Sequence, residues 1–128
     1  MRQVVEGIDI IPGLDAPISW AVVHGDVVYT SGVYGRDVGR DYWGDIREQT
    51  RMCLGYIDEI LRGSKSSVSN VLQVTVYLKD REDFDAYNEE YRQFFGEGPP
   101  ARTTIVTDFV FPEMLIEISC VAALAPLE

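Results

Sequence analysis

Two short apolar runs lie near the end of the chain: PPARTTIV at residues 99–106 and MLIEISCVA at residues 114–122. Both are rich in β-branched residues, and each predicts a buried strand. Each also carries one charge where the pattern favours an apolar residue, Arg102 in the first run and Glu117 in the second. A buried charge costs several kcal/mol unless it is paired or used. These two residues are therefore the first candidates for a functional site.

Composition predicts one globular domain spanning residues 1–128. The chain is 46% hydrophobic and 25% charged, which is ordinary for a soluble protein with a core of its own. No apolar run approaches the roughly 18 residues needed to cross a bilayer, and the first residues lack the apolar stretch of a signal peptide. We therefore expect a cytoplasmic protein without a membrane partner.

The acidic charge of the chain bears on its partners. The formal net charge is −10 and the isoelectric point is about 4.4. A protein of this charge repels phosphates at long range, and the sequence has no cluster of lysines and arginines to offset that repulsion. We expect no nucleic-acid partner. A small molecule and other copies of the chain are the favoured partners.

The cysteines and the histidine do not indicate a metal site or a nucleophile. Cys53 and Cys120 lie in apolar surroundings and read as small core residues rather than as a disulfide framework. His24, the single histidine, precedes Gly25 in a predicted turn, which is a poor setting for a Cys/His or Ser/His pair. No spacing in the sequence is that of a metal-ligand set.

The first third of the chain predicts strands and one unusual loop. Residues 4–11 alternate loosely and predict a weak strand that ends at Pro12-Gly13, whereas residues 20–23 and 27–31 flank a short glycine-containing loop and predict a hairpin. Residues 33–44 do not have the spacing of a glycine-rich phosphate loop. Two alternatives stay open for them: a surface loop, or one whose aromatic residues line a pocket or a subunit contact. The aromatic residues are Tyr34, Tyr42 and Trp43.

Two helices follow from capping and periodicity. Asp45 with Glu48 three residues later predicts a capping box, and an apolar stripe runs from there to a stop at Gly63. Residues 68–78 predict a strand. The acids of residues 80–83 then favour the start of a second helix, whose aromatic stripe also carries Asn88. The stripe consists of Phe84, Tyr87, Tyr91, Phe94 and Phe95.

The order of elements predicts an α+β two-layer sandwich, with a mixed six-stranded sheet and two helices on one of its faces. The other face then needs cover, because the positions assigned to it are apolar. This favours burial of sheet against sheet between copies of the chain. The positions assigned to that outer face are Val74, Val76, Ile105, Ile116 and Ile118.

The motifs together resemble the RidA/YjgF family of reactive-intermediate deaminases over nearly the whole chain. The most specific part is PARTT at residues 100–104 with a glutamate, Glu117, 15 residues after Arg102. The other matching segments, in order, are Gly44-Asp45-Ile46 with Gln49-Thr50, Asn70-Val71 with Val76-Tyr77-Leu78, then Phe84, Asn88, Tyr91 and Phe94, and finally Ile118 with Val121-Ala122.

The resemblance implies a chorismate-mutase-like fold and a homotrimer with sites in the clefts between subunits. It also implies hydrolysis of reactive enamines and imines, such as 2-aminoacrylate, to a 2-oxo acid and ammonia. No metal or organic cofactor is implied, because the substrate is already activated. The partner would be a carboxylated imine or enamine, or the 2-oxo acid product.

The resemblance gives the two unusual charges roles that suit their chemistry. Arg102 would bind the substrate carboxylate through its bidentate fork, and Glu117 would hold or polarise the attacking water. Ser31, Gly32, Asn88 and Thr104 would shape the site. We expect the guanidinium and the carboxyl group to meet in one cleft.

Departures from the family pattern affect the predicted substrate. Ile18 stands where many members have a tyrosine, Val33 where a glutamine is frequent, and Thr104 where a cysteine is common in well-known members. Ile18 and Trp20 would belong to the substrate-binding residues. A pocket for a bulkier or more aromatic substrate would be shaped by Trp20, Tyr34, Tyr42 and Trp43.

Three alternatives to this assignment stay open. Arg102 and Glu117 could form only a cross-strand ion pair. The protein could be a ligand-binding or chaperone-like trimer without turnover. It could also be a biosynthetic enzyme acting on a larger substrate. The endoribonuclease label once used for the family is disfavoured by the acidic charge.

Overall fold

We analysed a computed structural model of the protein, which describes residues 1–11 and 15–124. Within those ranges the chain forms seven strands and two α-helices. Short 3₁₀ turns lie at Val68–Asn70 and Arg81–Asp83. The elements are β1 (Gln3–Val4), β2 (Ala21–His24), β3 (Val27–Thr30), β4 (Val33–Tyr34), α1 (Ile46–Gly63), β5 (Val71–Leu78), α2 (Phe84–Phe95), β6 (Ala101–Val106) and β7 (Ile116–Ala123).

The strands form one mixed sheet in the order β1-β2-β3-β7-β5-β6, with β4 pairing to the same strand β7. Only the β5–β6 pair is parallel among the described strands, and α2 makes the crossover that a parallel pair requires. The predicted two-layer α+β class is confirmed. The sheet has seven described strands rather than six, because Val33–Tyr34 pairs separately with β7 opposite residues 117 and 118.

Helix α1 is the element that the sequence describes best. The Asp45 side chain accepts a hydrogen bond from the Glu48 backbone N–H at 2.9 Å, and the Glu48 carboxylate accepts from the Asp45 N–H at 3.3 Å. This reciprocal capping box fixes the start of the helix, which ends at Gly63 as predicted. Its buried face consists of Gln49, Thr50, Cys53, Leu54, Ile57, Ile60 and Leu61.

Helix α2 packs beside α1 and is held to it by a buried acid. Glu90 is 7% exposed, and its carboxylate accepts from Arg51 at 2.7 Å and from Arg47 at 3.2 Å. The neighbouring guanidinium groups lower the pKa of Glu90, since they stabilise its charged form. The two helices therefore cover the sheet as one layer.

The prediction for the uncovered face of the sheet is wrong at four of its five positions. Val74, Val76, Ile116 and Ile118 are at most 1% exposed, because they lie on the side that the helices cover. Only Ile105 lies on the uncovered face, and it is 47% exposed. Side chains alternate along a strand, so a wrong choice of face moves a whole set of residues together.

The first strand is also shorter than predicted. β1 comprises only Gln3–Val4, which pair with Val23 and Val22 of β2. Gly7 has a φ of +82°, a conformation outside the β region, so the ladder does not continue to residue 11. The predicted stop at Pro12-Gly13 lies outside the described residues.

Candidate functional site

Arg102 lies on the helix-covered side of the sheet, at its edge. It is aligned with buried Val74 of β5, and its guanidinium sits over the rings of α2. The guanidinium carbon is 4.8 Å from the Tyr91 ring centre and 5.0 Å from the Tyr87 ring centre. Arg102 Nη1 donates a hydrogen bond of 2.8 Å to Asn88 Oδ1. The side chain is thus held by rings and an amide while it stays exposed to solvent.

The Arg102 guanidinium has no carboxylate partner among the described residues. Five other arginines of this chain form ion pairs, but Arg102 forms none with Glu117 or with any other acid in residues 1–11 and 15–124. The alternative of a cross-strand Arg102–Glu117 ion pair within one chain is therefore wrong. A positioned, exposed and unpaired guanidinium is a suitable receptor for a carboxylate.

Thr104 lies on the same side as Arg102, two residues further along β6. Its hydroxyl is 2.7 Å from the hydroxyl of Tyr87, a residue with no exposed surface. Tyr87 also packs beneath the Arg102 guanidinium. One buried ring therefore fixes both residues of the PARTT segment that were predicted to shape the site.

Glu117 lies on the uncovered face of the sheet, aligned with Tyr77 of β5. Its half-buried carboxyl group has no hydrogen bond or ion pair to any described residue. Burial without such a partner raises the pKa of Glu117 above its usual value, since the charged form loses solvation. The group lines a pocket of about 240 Å³ with Tyr77, Phe109 and Val110. A carboxyl group with a raised pKa beside a pocket is a candidate for proton transfer.

Gly32 provides the space that the Glu117 carboxyl group occupies. A Cβ atom on Gly32 would lie 2.6 Å from Glu117 Oε2 and 2.8 Å from Glu117 Cδ. The preceding residue anchors this glycine: Ser31 Oγ donates to the Ser19 carbonyl oxygen at 2.6 Å, and the Ser31 N–H donates to the Trp20 carbonyl oxygen at 2.9 Å. Gly32 thus leaves room for the acid and exposes its backbone beside it.

The connector between β6 and β7 is fixed by a buried amide. Gln49 has no exposed surface, and its Nε2 donates to the carbonyl oxygens of Glu113 at 2.9 Å and Gly44 at 3.1 Å. Its Oε1 accepts from the Leu115 N–H at 2.9 Å. Gln49 therefore positions the segment that leads into Glu117.

Aromatic residues of the 33–44 loop pack against the same connector. The Tyr34 and Trp43 rings are stacked with centres 5.6 Å apart, and Phe111 of the connector lies 5.6 Å from Tyr34. Tyr34 is also aligned with Glu117 in the sheet. The loop therefore packs into the structure beside the candidate acid rather than extending freely into solvent.

Within one chain Arg102 and Glu117 do not meet, contrary to the sequence prediction. Arg102 is aligned with Val74, and Val74 with Cys120, so these three side chains share the helix-covered side. Glu117 lies three residues before Cys120, and an odd separation along a strand places it on the opposite face. Each chain thus has two half-sites. The basic half-site contains Arg102, Asn88 and Thr104, and the acidic half-site contains Glu117, Gly32 and Ser31.

Ile18 and Trp20, both predicted to bind substrate, lie in different environments. Ile18 is 47% exposed and lies close in sequence to Ser19, which Ser31 of the acidic half-site binds. Trp20 is 9% exposed and belongs to the hydrophobic core rather than to a cleft. An indole placed one residue before a buried strand has enough apolar area to favour the core. The structure therefore corrects the assignment of Trp20.

Sequence reasoning missed the rings beneath Arg102 and the role of Gln49. The sequence assigns Tyr87 and Tyr91 only to an apolar stripe. Their i, i+4 spacing beside Asn88 was the signal that the two rings share one helix face with that amide. Gln49 was seen only as part of a motif. A glutamine on the buried face of a predicted helix must find partners, and that rule was the signal for its role.

Known proteins are similar in sequence to this chain over most of its length. The sequence profile described as Endoribonuclease L-PSP matches residues 12–124. A RutC family protein of Pyrococcus horikoshii is 39% identical over 108 residues, which cover 83% of this chain and 86% of the relative. The human protein named 2-iminobutanoate/2-iminopropanoate deaminase is 35% identical over 118 residues, covering 91% of this chain and 86% of the human protein.

Solved structures share the fold along nearly the whole chain. A Thermotoga maritima protein named for an endoribonuclease superposes with a TM-score of 0.85 at 31% identity, covering 96% of this chain and 98% of that one. RidA of a Psychrobacter species superposes with a TM-score of 0.85 at 24% identity, covering 94% and 99%. The helices of the described ranges are too short or too polar for any of them to span a membrane.

Proposed function

Because the chain belongs to the endoribonuclease L-PSP family, also called RidA/YjgF, we propose that it hydrolyses 2-imino acids and their enamine tautomers to 2-oxo acids and ammonia. The observation that carries the proposal is the Arg102 guanidinium, which is held by Asn88 and two tyrosine rings and lacks an acid partner among the described residues. The human relative named as an imine deaminase supports the choice of reaction.

The proposed reaction divides between the two half-sites. Arg102 binds the substrate carboxylate and thereby fixes the imine carbon next to it. Glu117 takes a proton from the water as its oxygen adds to the imine carbon, and it delivers that proton to the nitrogen. Transfer of the remaining hydroxyl proton to the same nitrogen then releases ammonia as the C–N bond breaks and the C=O bond forms. Burial raises the pKa of Glu117, which favours return of the proton by this group.

The proposal includes assembly, because the half-sites lie on opposite faces of one sheet. Arg102 of one copy can reach Glu117 only if the uncovered face of a second copy meets the α2 edge of the first. Such a contact is heterologous and closes into a ring, for which we propose the trimer that the family resemblance implies. Cytoplasmic residence remains part of the same proposal.

Complementation between two variants of very low activity tests both the proposed reaction and the proposed assembly. Imines generated in situ by an amino-acid oxidase are trapped with semicarbazide, and the enzyme is scored by the trapped product that it removes. Arg102→Ala and Glu117→Gln should each lose nearly all activity, leaving only a measurable residual rate, and keep the wild-type oligomeric mass by light scattering. Co-expressed at equal levels, they should recover about a quarter of the wild-type activity, because random mixing pairs an intact Arg102 with an intact Glu117 at one boundary in about four.

The matched control is Arg81→Ala, which removes an exposed arginine outside both half-sites and should leave activity unchanged; Arg81 forms no ion pair within residues 1–11 and 15–124. Inactivity of the mixed oligomers would show that the two groups do not act across copies. Stabilisation by 2-oxobutyrate in a thermal shift, with no acceleration of imine loss by the wild type, would instead establish a ligand-binding protein without turnover. RNA cleavage that persists at high salt and follows the purified oligomer would support the endoribonuclease name over this proposal.

A further inference from the structure

A cleft lined by Arg102 and Asn88 of the basic half-site runs along the second half of α2. We call it the α2 cleft. It measures about 340 Å³ and lies between the second half of the helix and the segment that enters β6. Its walls include Asn88, Tyr91 and Arg92 from the helix, and Pro99, Pro100 and Arg102 from the segment and strand. The two prolines restrict the backbone of one wall, so the cleft is partly preformed.

The α2 cleft brings together two arginines without acid partners. Arg92 is exposed and, like Arg102, forms no ion pair with any acid in the described ranges. By contrast, Arg47 and Arg51 on α1 both bind the buried carboxylate of Glu90. The chain has 21 acidic against 11 basic residues, so acids to pair with the two arginines are not scarce. Two unpaired guanidinium groups in one cleft make it locally basic in an acidic protein.

Helix geometry fixes how the two arginines are related. Arg92 follows Asn88 by four residues, so the two side chains share one face of α2. Asn88 accepts the hydrogen bond of Arg102. The amide therefore holds Arg102 in place on the helix face that also carries Arg92.

Tyr91 lines the α2 cleft with its ring rather than with its hydroxyl group. The residue is 5% exposed, and its hydroxyl oxygen is buried without a hydrogen bond to any described residue. The ring centre lies 4.8 Å from the Arg102 guanidinium carbon, so the ring helps to hold that cation at the cleft.

We propose that the α2 cleft binds a small dicarboxylate, with one carboxylate on Arg102 and the other on Arg92. A monocarboxylate satisfies only Arg102, whereas a second carboxylate three or four carbons away can use the other guanidinium. The proposal goes beyond imine hydrolysis. It shares with the proposed function only the binding of a carboxylate by Arg102, and it requires no turnover.

Isothermal titration with two pairs of acids of equal carbon number tests the site: succinate against butyrate, and glutarate against valerate. The wild type should bind the diacid of at least one pair about fivefold more tightly, which is the scale of one exposed ion pair. Arg92→Gln should reduce diacid affinity to that of the monoacid and leave monoacid affinity unchanged. Arg81→Gln, which removes an arginine outside the cleft, should keep the preference. Higher salt should narrow the difference.

The inference fails if both diacids bind no better than their matched monoacids, or if Arg92→Gln keeps the preference.

If the diacid preference is found, enzyme kinetics distinguish whether the diacid is a substrate or a regulator. If the diacid is a substrate, Arg92→Gln lowers kcat/KM for the imine of aspartate but not for that of alanine. If it is a regulator, succinate changes the rate on the alanine imine in the wild type and not in the variant. A diacid preference without any imine hydrolysis would refute the proposed function and leave this site standing.

Discussion

Replacement of Gly32 by alanine should remove activity through a displacement of Glu117 alone. The new Cβ atom would lie 2.6 Å from Glu117 Oε2, whereas ordinary van der Waals contact begins at 3.4 Å. The carboxyl group must therefore move by about 0.8 Å, and misplacement of a reacting group by about 1 Å can cost roughly 100-fold in rate. We expect kcat/KM for imine hydrolysis to fall by about that factor.

The same substitution should leave the fold nearly intact. Gly32 does not have a positive φ, so alanine is not strained there. The atoms that it meets belong to the end of a flexible side chain, and a forced rotamer change costs about 0.5–1.5 kcal/mol. Urea unfolding measures the free energy of unfolding, and light scattering measures the oligomeric mass. The control is Gly55→Ala on the exposed side of α1, where a Cβ meets nothing within 4 Å; it should stabilise the helix by about 1 kcal/mol and keep full activity.

A double-mutant cycle isolates the cause. If alanine at position 32 acts only by moving the acid, it should have no further effect in a Glu117→Gln background, so the two losses should be strongly non-additive. Full activity of Gly32→Ala would refute the reasoning from geometry. An equal loss in both backgrounds would show that Gly32 acts through its own backbone rather than through Glu117.

Three further substitutions test the surroundings of the half-sites. In an Arg102→Ala background, where no neighbouring guanidinium offsets burial, Glu117→Gln should raise the free energy of unfolding at pH 7 and lose that gain as the pH falls toward 4.5. A raised folded pKa means that the unfolded chain releases its proton first, so stability falls as pH rises; urea melts across that range measure this. Tyr87→Phe should lower the free energy of unfolding by about 1 kcal/mol, because it leaves the Thr104 hydroxyl without this partner. In urea melts, the double variant with Thr104→Val should lose less than the sum of the two single variants. Gln49→Met keeps the side-chain volume but leaves the Leu115 N–H and two carbonyl groups without this partner. It should lower the free energy of unfolding by about 2–3 kcal/mol in the same assay. It should also lower kcat/KM, because the connector that leads into Glu117 is held less firmly.

Much of the fold follows from signals that act over a few residues. The capping box of Asp45 and Glu48 and the hairpin around Gly25 each depend on groups close together in sequence. Both form, although His24 ends β2 instead of lying in the turn. Cys53 and Cys120 are buried, as their apolar neighbours indicated. These features were predictable because their geometry is set before the chain folds on itself.

The relation between Arg102 and Glu117 could not be read in the same way. The alternation of a strand shows which residues share a face, but not which face the helices cover. That choice depends on the register of β6 against β5, which the α2 crossover sets, and on the register of β5 against β7. The sequence therefore identified the two charged residues while misplacing them relative to each other.

If copies assemble as proposed, the two half-sites also control each other's charge. Burial raises the pKa of Glu117 in the single chain, and contact with Arg102 of a neighbour would lower it, because a nearby cation stabilises the carboxylate. An empty site would then hold Glu117 ionised and ready to accept a proton from water. Binding of a substrate carboxylate would neutralise Arg102, remove that stabilisation and raise the pKa again, so that the acid returns the proton to the imine nitrogen. The separation of the two charges onto opposite faces thus makes proton transfer depend on both assembly and substrate.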